Sequence, residues 1–157
     1  MVIPLFLKQR GLLSHPSFYM SEYLEAHREV YIEKMRNVSR DGDWTGWCEF
    51  FLNGIIEQAY KNQKKAQQII KLHQDMQRRV SDLTHSQHSS RAVEFLFTSP
   101  VFQTSGFLGG SGIPRATGVR IIQVLRDEGV LFTARESAGR RPALYAFMDL
   151  LHIAEGR

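Results

Sequence analysis

Residues 111–141 constrain the fold of this chain more than any other segment. Apolar residues that recur every three to four positions predict an amphipathic helix over residues 114–128, because this spacing marks one face of a helix. Two β-like runs follow, over residues 130–135 and 142–147, and a basic turn over residues 138–141 joins them. The segment therefore predicts one helix followed by a β-hairpin.

The residues around this segment extend the predicted order of elements. Helices are predicted over residues 90–98, ahead of Pro100, over the glycine-rich residues 104–110, and over the closing residues 148–154. Three helices followed by a strand, an arginine-rich turn and a strand are the order of a winged helix-turn-helix. The predicted fold class is mainly α: a helical segment, then a winged helix-turn-helix with a small antiparallel β-hairpin.

The third helix of this arrangement has an apolar and a polar side. We expect Val119, Ile122 and Leu125 to point into the core, with Ile121 and Val124 beside them. The polar side is then available to a partner.

The same segment supplies the candidate residues for contact with DNA. Recognition helices contact base edges with their N-terminal residues, and arginine and hydroxyl groups bind phosphates. Within residues 111–141, six arginines stand against three acidic residues, and lysine is absent. A solvated helix face that simply carries arginine would have the same composition. The candidates are Ser111 for a phosphate, Arg115, Thr117 and Arg120 for the groove, and Arg140 and Arg141 for the DNA backbone or minor groove.

The first 84 residues have a helical pattern. One helix is predicted from Ser21 to a break at Gly42, and Asp43 can cap the helix that follows. A single helix over residues 43–83 would be about 60 Å long at about 1.5 Å per residue. We therefore expect an extended stalk, or a kink within the polar residues 61–68.

Two domains follow from this pattern. Residues 1–85 form the helical segment, and residues 86–157 form the winged helix-turn-helix. The stretch over residues 85–90 lacks apolar residues and is predicted to be a linker or a helix cap. His85 and His88 lie within it, and we interpret them as solvated linker residues, with no metal site.

Composition narrows the class of protein. The net charge is +4 and the pI is about 9.4, but residues 1–84 and residues 85–157 each carry +2, so composition alone does not identify a nucleic-acid-binding part. Cys48 is the only cysteine, which excludes an internal disulfide and suits a reducing compartment. No apolar run approaches the roughly 18–20 residues of a membrane span. We expect a cytoplasmic protein that does not enter the membrane.

Three runs in the first half resemble the Fic family of proteins. Residues 12–23 resemble the stretch G-L-L-x-x-P-x-L-Y-L-S-x-Y of that family, and residues 25–31 resemble its E-x-H-R-x-x-Y-Y helix. Residues 42–54 resemble its G-D-W-E-x-W-x-x-F-F-L-x-G segment. The runs occur in the family's order and spacing, and the resemblance covers roughly residues 2–85. The tail, residues 90–154, resembles the winged helix that often ends longer Fic proteins.

This resemblance implies an activity for a larger protein. Fic proteins transfer AMP from ATP to a hydroxyl side chain of a target protein, and their active-site loop is H-x-F-x-x-G-N-G-R. That loop is absent from this sequence, so no catalytic residue is assigned and no cofactor is expected in this chain. ATP and Mg²⁺ are expected for the parent protein. We expect the chain to be the C-terminal part of a Fic protein and to transfer no AMP by itself.

The resemblance also implies partners. Trp44, Trp47, Phe50 and Phe51 would normally be buried against an N-terminal Fic core that this sequence lacks. We expect self-association to cover them, because large apolar patches rarely stay exposed. The resulting homo-oligomer would have Leu5–Leu13 near the contact. Two alternatives remain: a free-standing dimeric transcriptional regulator, and a winged helix that binds protein and regulates the Fic core.

Overall fold

Helices dominate the fold, and a small antiparallel sheet accompanies them. The computed structural model describes residues 6, 8–11, 20–138 and 141–156. Its architecture confirms the predicted class, mainly α with a small β-hairpin. The chain folds as two compact units, and the division between them falls at the bond between Lys64 and Lys65. The helices are α1 (Ser21–Ala26), α2 (Arg28–Asp41), α3 (Trp44–Thr84), α4 (Ser89–Thr98), α5 (Thr104–Gly110), α6 (Arg115–Asp127) and α7 (Met148–Glu155), and the strands are β1 (Val101–Gln103), β2 (Phe132–Arg135) and β3 (Leu144–Ala146).

The first unit contains α1, α2 and the first part of α3. Tyr23 of α1 and Phe50 of α3 are buried together with Met20, and the ring centroids of Tyr23 and Phe50 lie 5.5 Å apart. Gly54 makes this packing possible, because a Cβ atom there would lie 2.5 Å from Cε1 of Tyr23. The glycine thus lets α1 pack directly against the backbone of α3.

The turn between α2 and α3 follows the sequence prediction. Gly42 ends α2 in a left-handed conformation, with φ of 69°. Its lack of a Cβ atom makes this backbone conformation inexpensive. Oδ1 of Asp43 accepts a hydrogen bond of 2.8 Å from the Gly46 amide, which confirms the predicted cap of the next helix.

The aromatic cluster at the start of α3 is largely covered within the first unit. Phe50 is buried, and Trp47 and Phe51 are half-buried against the same core. Trp44, in contrast, is 64% exposed. Three of the four aromatic residues expected to require cover from another molecule therefore find it here, because α1 and α2 pack over them. The segment Leu5–Leu13, expected near the oligomer contact, lies partly outside the described residues.

The opposite side of α3 carries a different apolar surface, which we call the apolar stripe. Its members recur every fourth residue and are all exposed: Trp44, Cys48, Leu52, Ile56 and Tyr60. Residues four apart are neighbours on one side of a helix. The stripe is therefore continuous along the part of α3 that belongs to the first unit.

The second unit is built around one hydrophobic core. Phe107 of α5 and Phe147 after β3 are fully buried in it, and Ile121 and Leu125 of α6 reach it from the side. The second part of α3 also packs against this core. Its contributing residues are Ile69, Leu72, Met76, Val80 and Leu83.

This packing explains why the compact unit begins before the predicted domain boundary. The sequence placed the boundary between residues 85 and 86, because the polar residues there look like a linker. The residues of α3 after Lys65 instead belong to the second unit, since their apolar side is part of its core. Helix α3 runs without interruption through the polar residues 61–68.

Three short strands complete the second unit. The strand order is β1-β3-β2, and both pairings are antiparallel. Helix α4, strand β1, helices α5 and α6, and strands β2 and β3 follow one another as in a winged helix-turn-helix. Strand β1 was missing from the sequence prediction, which had only the β2–β3 hairpin.

None of the helices in the described part of the chain combines the length and the apolar character needed to cross a lipid bilayer.

Candidate nucleic-acid interface

One side of helix α6 is buried in the core, and the other side is exposed to solvent. Gly118, Ile121, Ile122 and Leu125 are buried. Gly118 packs against α5, where a Cβ atom would lie 2.5 Å from Cδ2 of Leu108. The outward side of α6 contains Ala116, Val119, Arg120 and Gln123, all exposed.

The position of Val119 corrects the sequence prediction. Val119 was expected to point into the core, but its side chain is 43% exposed. The inward position in this turn belongs to Gly118 instead, and any Cβ atom there would require the Leu108 side chain of α5 to shift. Val119 is therefore available to a partner of this helix face.

The turn that precedes α6 is fixed by local hydrogen bonds. Gly112 adopts φ of 64°, and its carbonyl accepts a hydrogen bond of 3.2 Å from Nη1 of Arg91 in α4. Ser111 is only 9% exposed, and its Oγ accepts a hydrogen bond of 3.4 Å from the Ile113 amide. The phosphate contact of Ser111 stays a prediction, and the hydroxyl oxygen accepts a hydrogen bond within the turn.

The groove candidates on α6 lie in different environments. Arg115 is the first residue of the helix and is exposed, while Thr117 is half-buried. Arg120 is bonded to the protein: its Nη2 donates a hydrogen bond of 3.0 Å to the carbonyl of Thr84. This carbonyl belongs to the last residue of α3, where helix carbonyls lack an intrahelical donor.

A second arginine makes the corresponding contact in the opposite direction. Nη2 of Arg79 in α3 donates a hydrogen bond of 3.0 Å to the carbonyl of Glu128, directly after α6. Each helix therefore receives an arginine from the other at its C-terminal end. A cation at this end is favourable for the helix dipole. The two bonds join α6 to the last turns of α3.

Arg126 lies on the same helix but is paired with its neighbour. Its Nε and Nη2 both donate to Oδ1 of Asp127, at 3.0 and 2.8 Å. This hydrogen bonding raises the pKa of the Arg126 guanidinium, and the charge of Asp127 adds to the effect. The pair is exposed, so its contribution to stability is small.

A cavity of about 290 Å³ opens beside the outward side of α6. Val119 and Ile122 give it an apolar floor, and polar groups from three elements surround them. Gln123 was not among the predicted site residues. The sequence could have indicated Gln123, because it follows Val119 by four residues and so lies on the side of the helix opposite Leu125. The remaining polar residues around the cavity are Thr104, Arg126 and Tyr145.

The hairpin brings one further candidate toward solvent. Ala138 and Arg141 form an antiparallel pair with two backbone hydrogen bonds of 3.0 and 3.1 Å, and Arg141 is exposed. Nη2 of Arg135 donates to the carbonyl of Pro142 at 3.4 Å. Arg140 lies outside the described residues, so its predicted contact stays a prediction. The wing thus presents Arg141 at the end of the β2–β3 hairpin.

In the described ranges 20–138 and 141–156, no three His, Cys, Asp or Glu residues lie close enough together to hold an ion.

The second unit thus has the fold and the exposed helix of a winged helix-turn-helix. A scan of the sequence against protein-family models found no match.

Proposed function

We propose that this chain is the non-catalytic C-terminal portion of a Fic-family protein of the cytoplasm, and that its winged helix binds DNA. The observation that carries the DNA part is the outward side of α6. It presents Arg115, Val119 and Gln123 to solvent, and the cavity beside it is also lined by Tyr145 of the hairpin that carries the exposed Arg141. An exposed helix beside a basic hairpin suits a major groove and its flanking phosphates.

The charge of this surface also favours a polyanionic partner. Residues 111–141 contain six arginines and three acidic residues. Neutralised phosphates release counterions, so affinity for DNA falls as salt rises. A winged helix that binds only protein has no such requirement, and salt dependence therefore separates the two proposals.

The Fic part rests on the resemblance of residues 12–54, and the packing of the first unit supports it. Tyr23, Phe50 and Gly54 all belong to the matched runs, and they form the contact between α1 and α3. The parent protein would transfer AMP from ATP to a protein hydroxyl with Mg²⁺. This chain would supply helices and no catalytic group.

The apolar stripe favours a partner for the first unit. Trp44, Leu52, Ile56 and Tyr60 are each more than half exposed. The remainder of a Fic core is the partner that the resemblance implies. A second copy of the chain is the alternative, and it would make the protein a dimeric regulator.

A protein-binding role for the winged helix also has one observation in its favour. Val101 and Phe132 both pair with Ala146 across the sheet, and both side chains are exposed. Paired residues of an antiparallel sheet point to the same face. The outer face of the sheet is therefore apolar in this row, which suits a protein better than DNA.

The test of DNA binding measures affinity for a labelled random duplex at several salt concentrations. We expect log Kd to rise linearly with log salt. Replacing Arg140 and Arg141 with alanine should reduce the slope by about two, since each lost phosphate contact removes about 0.9. Arg36→Ala with Arg40→Ala, in α2, is the matched control that removes the same charge elsewhere. Binding that ignores salt, or equal slopes for the two double variants, would support the protein-binding role instead.

Two measurements test the Fic part. The open reading frame should encode H-x-F-x-x-G-N-G-R ahead of residue 1, and a frame without it would contradict the assignment. Incubation of this chain with labelled ATP and Mg²⁺ should transfer no label to the chain or to a protein partner. Label above a denatured control would show that the chain has a catalytic group of its own.

A further inference from the structure

We propose that the outward side of α6 prefers A·T base pairs, with Gln123 bonding adenine and Val119 contacting the thymine methyl group. This inference rests on the proposed binding of DNA and adds which bases the helix reads. The residues that carry it were not among the candidates from the sequence. They are Ala116, Val119 and Gln123.

The first step is that two arginines of α6 are already bonded to protein oxygens. Nη2 of Arg120 donates to the Thr84 carbonyl at 3.0 Å, and two nitrogens of Arg126 donate to Asp127. Arginine bound to guanine is the commonest specific contact in the major groove. For Arg120 to make it, the C-terminal end of α3 would lose its donor. Reading of G·C by this side chain therefore has a cost that reading by Gln123 lacks.

The second step is geometric. Residues 116, 119 and 123 are separated by three and four positions, so their side chains lie on one side of the helix. That side is opposite Gly118, Ile121 and Leu125, which are buried. Ala116, Val119 and Gln123 are all exposed, and the last two border the cavity of about 290 Å³.

The third step is chemical. The carboxamide of glutamine both donates and accepts, which matches the N7 acceptor and N6 donor of adenine. The methyl groups of valine and alanine match the C5-methyl group of thymine, which no other base carries. The apolar floor formed by Val119 and Ile122, bordered by Gln123, thus offers adjacent contacts for the two bases of an A·T pair.

The fourth step concerns the choice of occupant. Asp127, the acidic residue at the end of α6, is paired with Arg126. Arg115 is exposed at the start of the helix, and Arg141 is exposed on the hairpin. Both α6 and the hairpin therefore carry an exposed cation that suits the phosphates beside a groove.

The experiment uses the full chain and short duplexes enriched from a random library. Affinity for the enriched duplex is compared with the same duplex containing deoxyuridine for thymidine, which lacks the methyl group, or 7-deazaadenine, which lacks N7. We expect both replacements to weaken binding of the natural chain. The natural chain should prefer the natural duplex over the 7-deazaadenine duplex by about fivefold or more, the lower end for one bidentate contact. Gln123→Ala should lose this preference. Val119→Ala should reduce the discrimination against deoxyuridine.

Two exposed residues away from α6 supply matched controls. Gln74→Ala, in α3, and Val30→Ala, in α2, should retain the full discrimination. Enrichment of duplexes with G·C pairs would overturn the inference and leave the proposed DNA binding intact. Unchanged discrimination in Gln123→Ala and Val119→Ala would do the same. No binding to any duplex at low salt would overturn the proposed DNA binding itself, and this inference with it.

Discussion

The guanidinium of Arg120 donates a hydrogen bond of 3.0 Å to the main-chain carbonyl of Thr84, and so connects the exposed helix of the winged helix with the end of α3. Thr84 is buried, and its own hydroxyl donates to the Val80 carbonyl at 2.7 Å. In the last turn of α3, the Thr84 hydroxyl thus bonds one carbonyl and Arg120 of α6 bonds another. Arg120 therefore has a structural role in addition to any contact with DNA.

Removal of this bond should lower the stability of the second unit. We expect Arg120→Ala to reduce the free energy of unfolding by about 1 kcal/mol, the usual net value of a hydrogen bond. Urea denaturation measures the change. Arg126→Ala is the control on the same helix, because its partner is the exposed Asp127 and its loss should have little effect. Equal loss of stability in the two variants would contradict a specific role for the Thr84 contact.

Two adjacent glycines of α5 should respond in opposite directions to alanine. A Cβ atom at Gly110 would lie 2.6 Å from Cε2 of Phe95, whereas a Cβ atom at Gly109 would have no neighbour within 4 Å. We expect Gly110→Ala to destabilise by about 1–3 kcal/mol through overpacking. Gly109→Ala should stabilise by about 0.5–1 kcal/mol through helix propensity. Thermal unfolding of the two variants checks the prediction, and a destabilised Gly109→Ala would contradict it.

Two phenylalanines in the second unit differ in burial. Their replacement by alanine should therefore lower the free energy of unfolding by different amounts. Phe107 is fully buried and contacts the rings of Phe95 and Phe102, at centroid distances of 5.0 and 5.6 Å. Phe107→Ala should cost about 3–5 kcal/mol, as for other large-to-small changes in a core. Phe132 is 59% exposed, so Phe132→Ala should cost far less. Denaturant titration of both variants tests this, and similar losses would show that the two positions are not as described.

The apolar stripe should control self-association if a second copy covers it. We expect the chain to sediment as a dimer or higher oligomer at high micromolar concentration. Leu52→Glu with Ile56→Lys should shift it toward monomer, because both side chains are exposed and belong to the stripe. Ile70→Lys is the control, since Ile70 is exposed on the same helix but lies outside the stripe. A natural chain that is already monomeric would rule out the second copy as its partner.

The ion pair between Glu57 and Lys61 should make a small contribution to stability that depends on pH. Lys61 Nζ lies 2.9 Å from the Glu57 carboxylate, and this hydrogen bond lowers the pKa of Glu57. Because the folded-state pKa is lowered, the contribution exists above the ordinary pKa of the carboxylate and disappears as the pH falls through the folded value. Lys61→Met should therefore lower the unfolding midpoint slightly at about pH 7, and the difference should shrink at about pH 3. A difference that is undiminished at the lower pH would have another origin.

Local signals were sufficient for many of the elements, but the single helix predicted from Ser21 to Gly42 was wrong, because α1 and α2 are separated at His27. Gly42 and Asp43 mark the turn between α2 and α3, because a left-handed residue and a capping carboxylate are local requirements. The predicted helix over residues 104–110 has the observed bounds of α5, despite its glycines. The predicted helix over residues 114–128 agrees with α6 to one residue at each end.

The structural features that the sequence did not predict depend on contacts between residues far apart in the chain. Strand β1 has three residues, too few for a period of two, and it exists because β3 pairs with it. The outward position of Val119 depends on how closely Leu108 approaches Gly118, which no local pattern reveals. The contact of Arg120 joins residues 36 positions apart. Sequence reasoning therefore predicted the bounds of α6 but assigned Val119 and Arg120 without knowing their neighbours.

Helix α3 has a consequence for any attempt to study the two units separately. One ladder of backbone hydrogen bonds runs from Trp44 to Thr84, and the division between the units falls inside it, at Lys64 and Lys65. A cut at this point would leave four carbonyls on one side and four amides on the other without intrahelical partners. Each new end would fray in solution, and hydrogen exchange should be fastest at the amides next to the cut. Either half expressed alone therefore needs several extra turns of α3, or a new capping residue, to keep its own core covered.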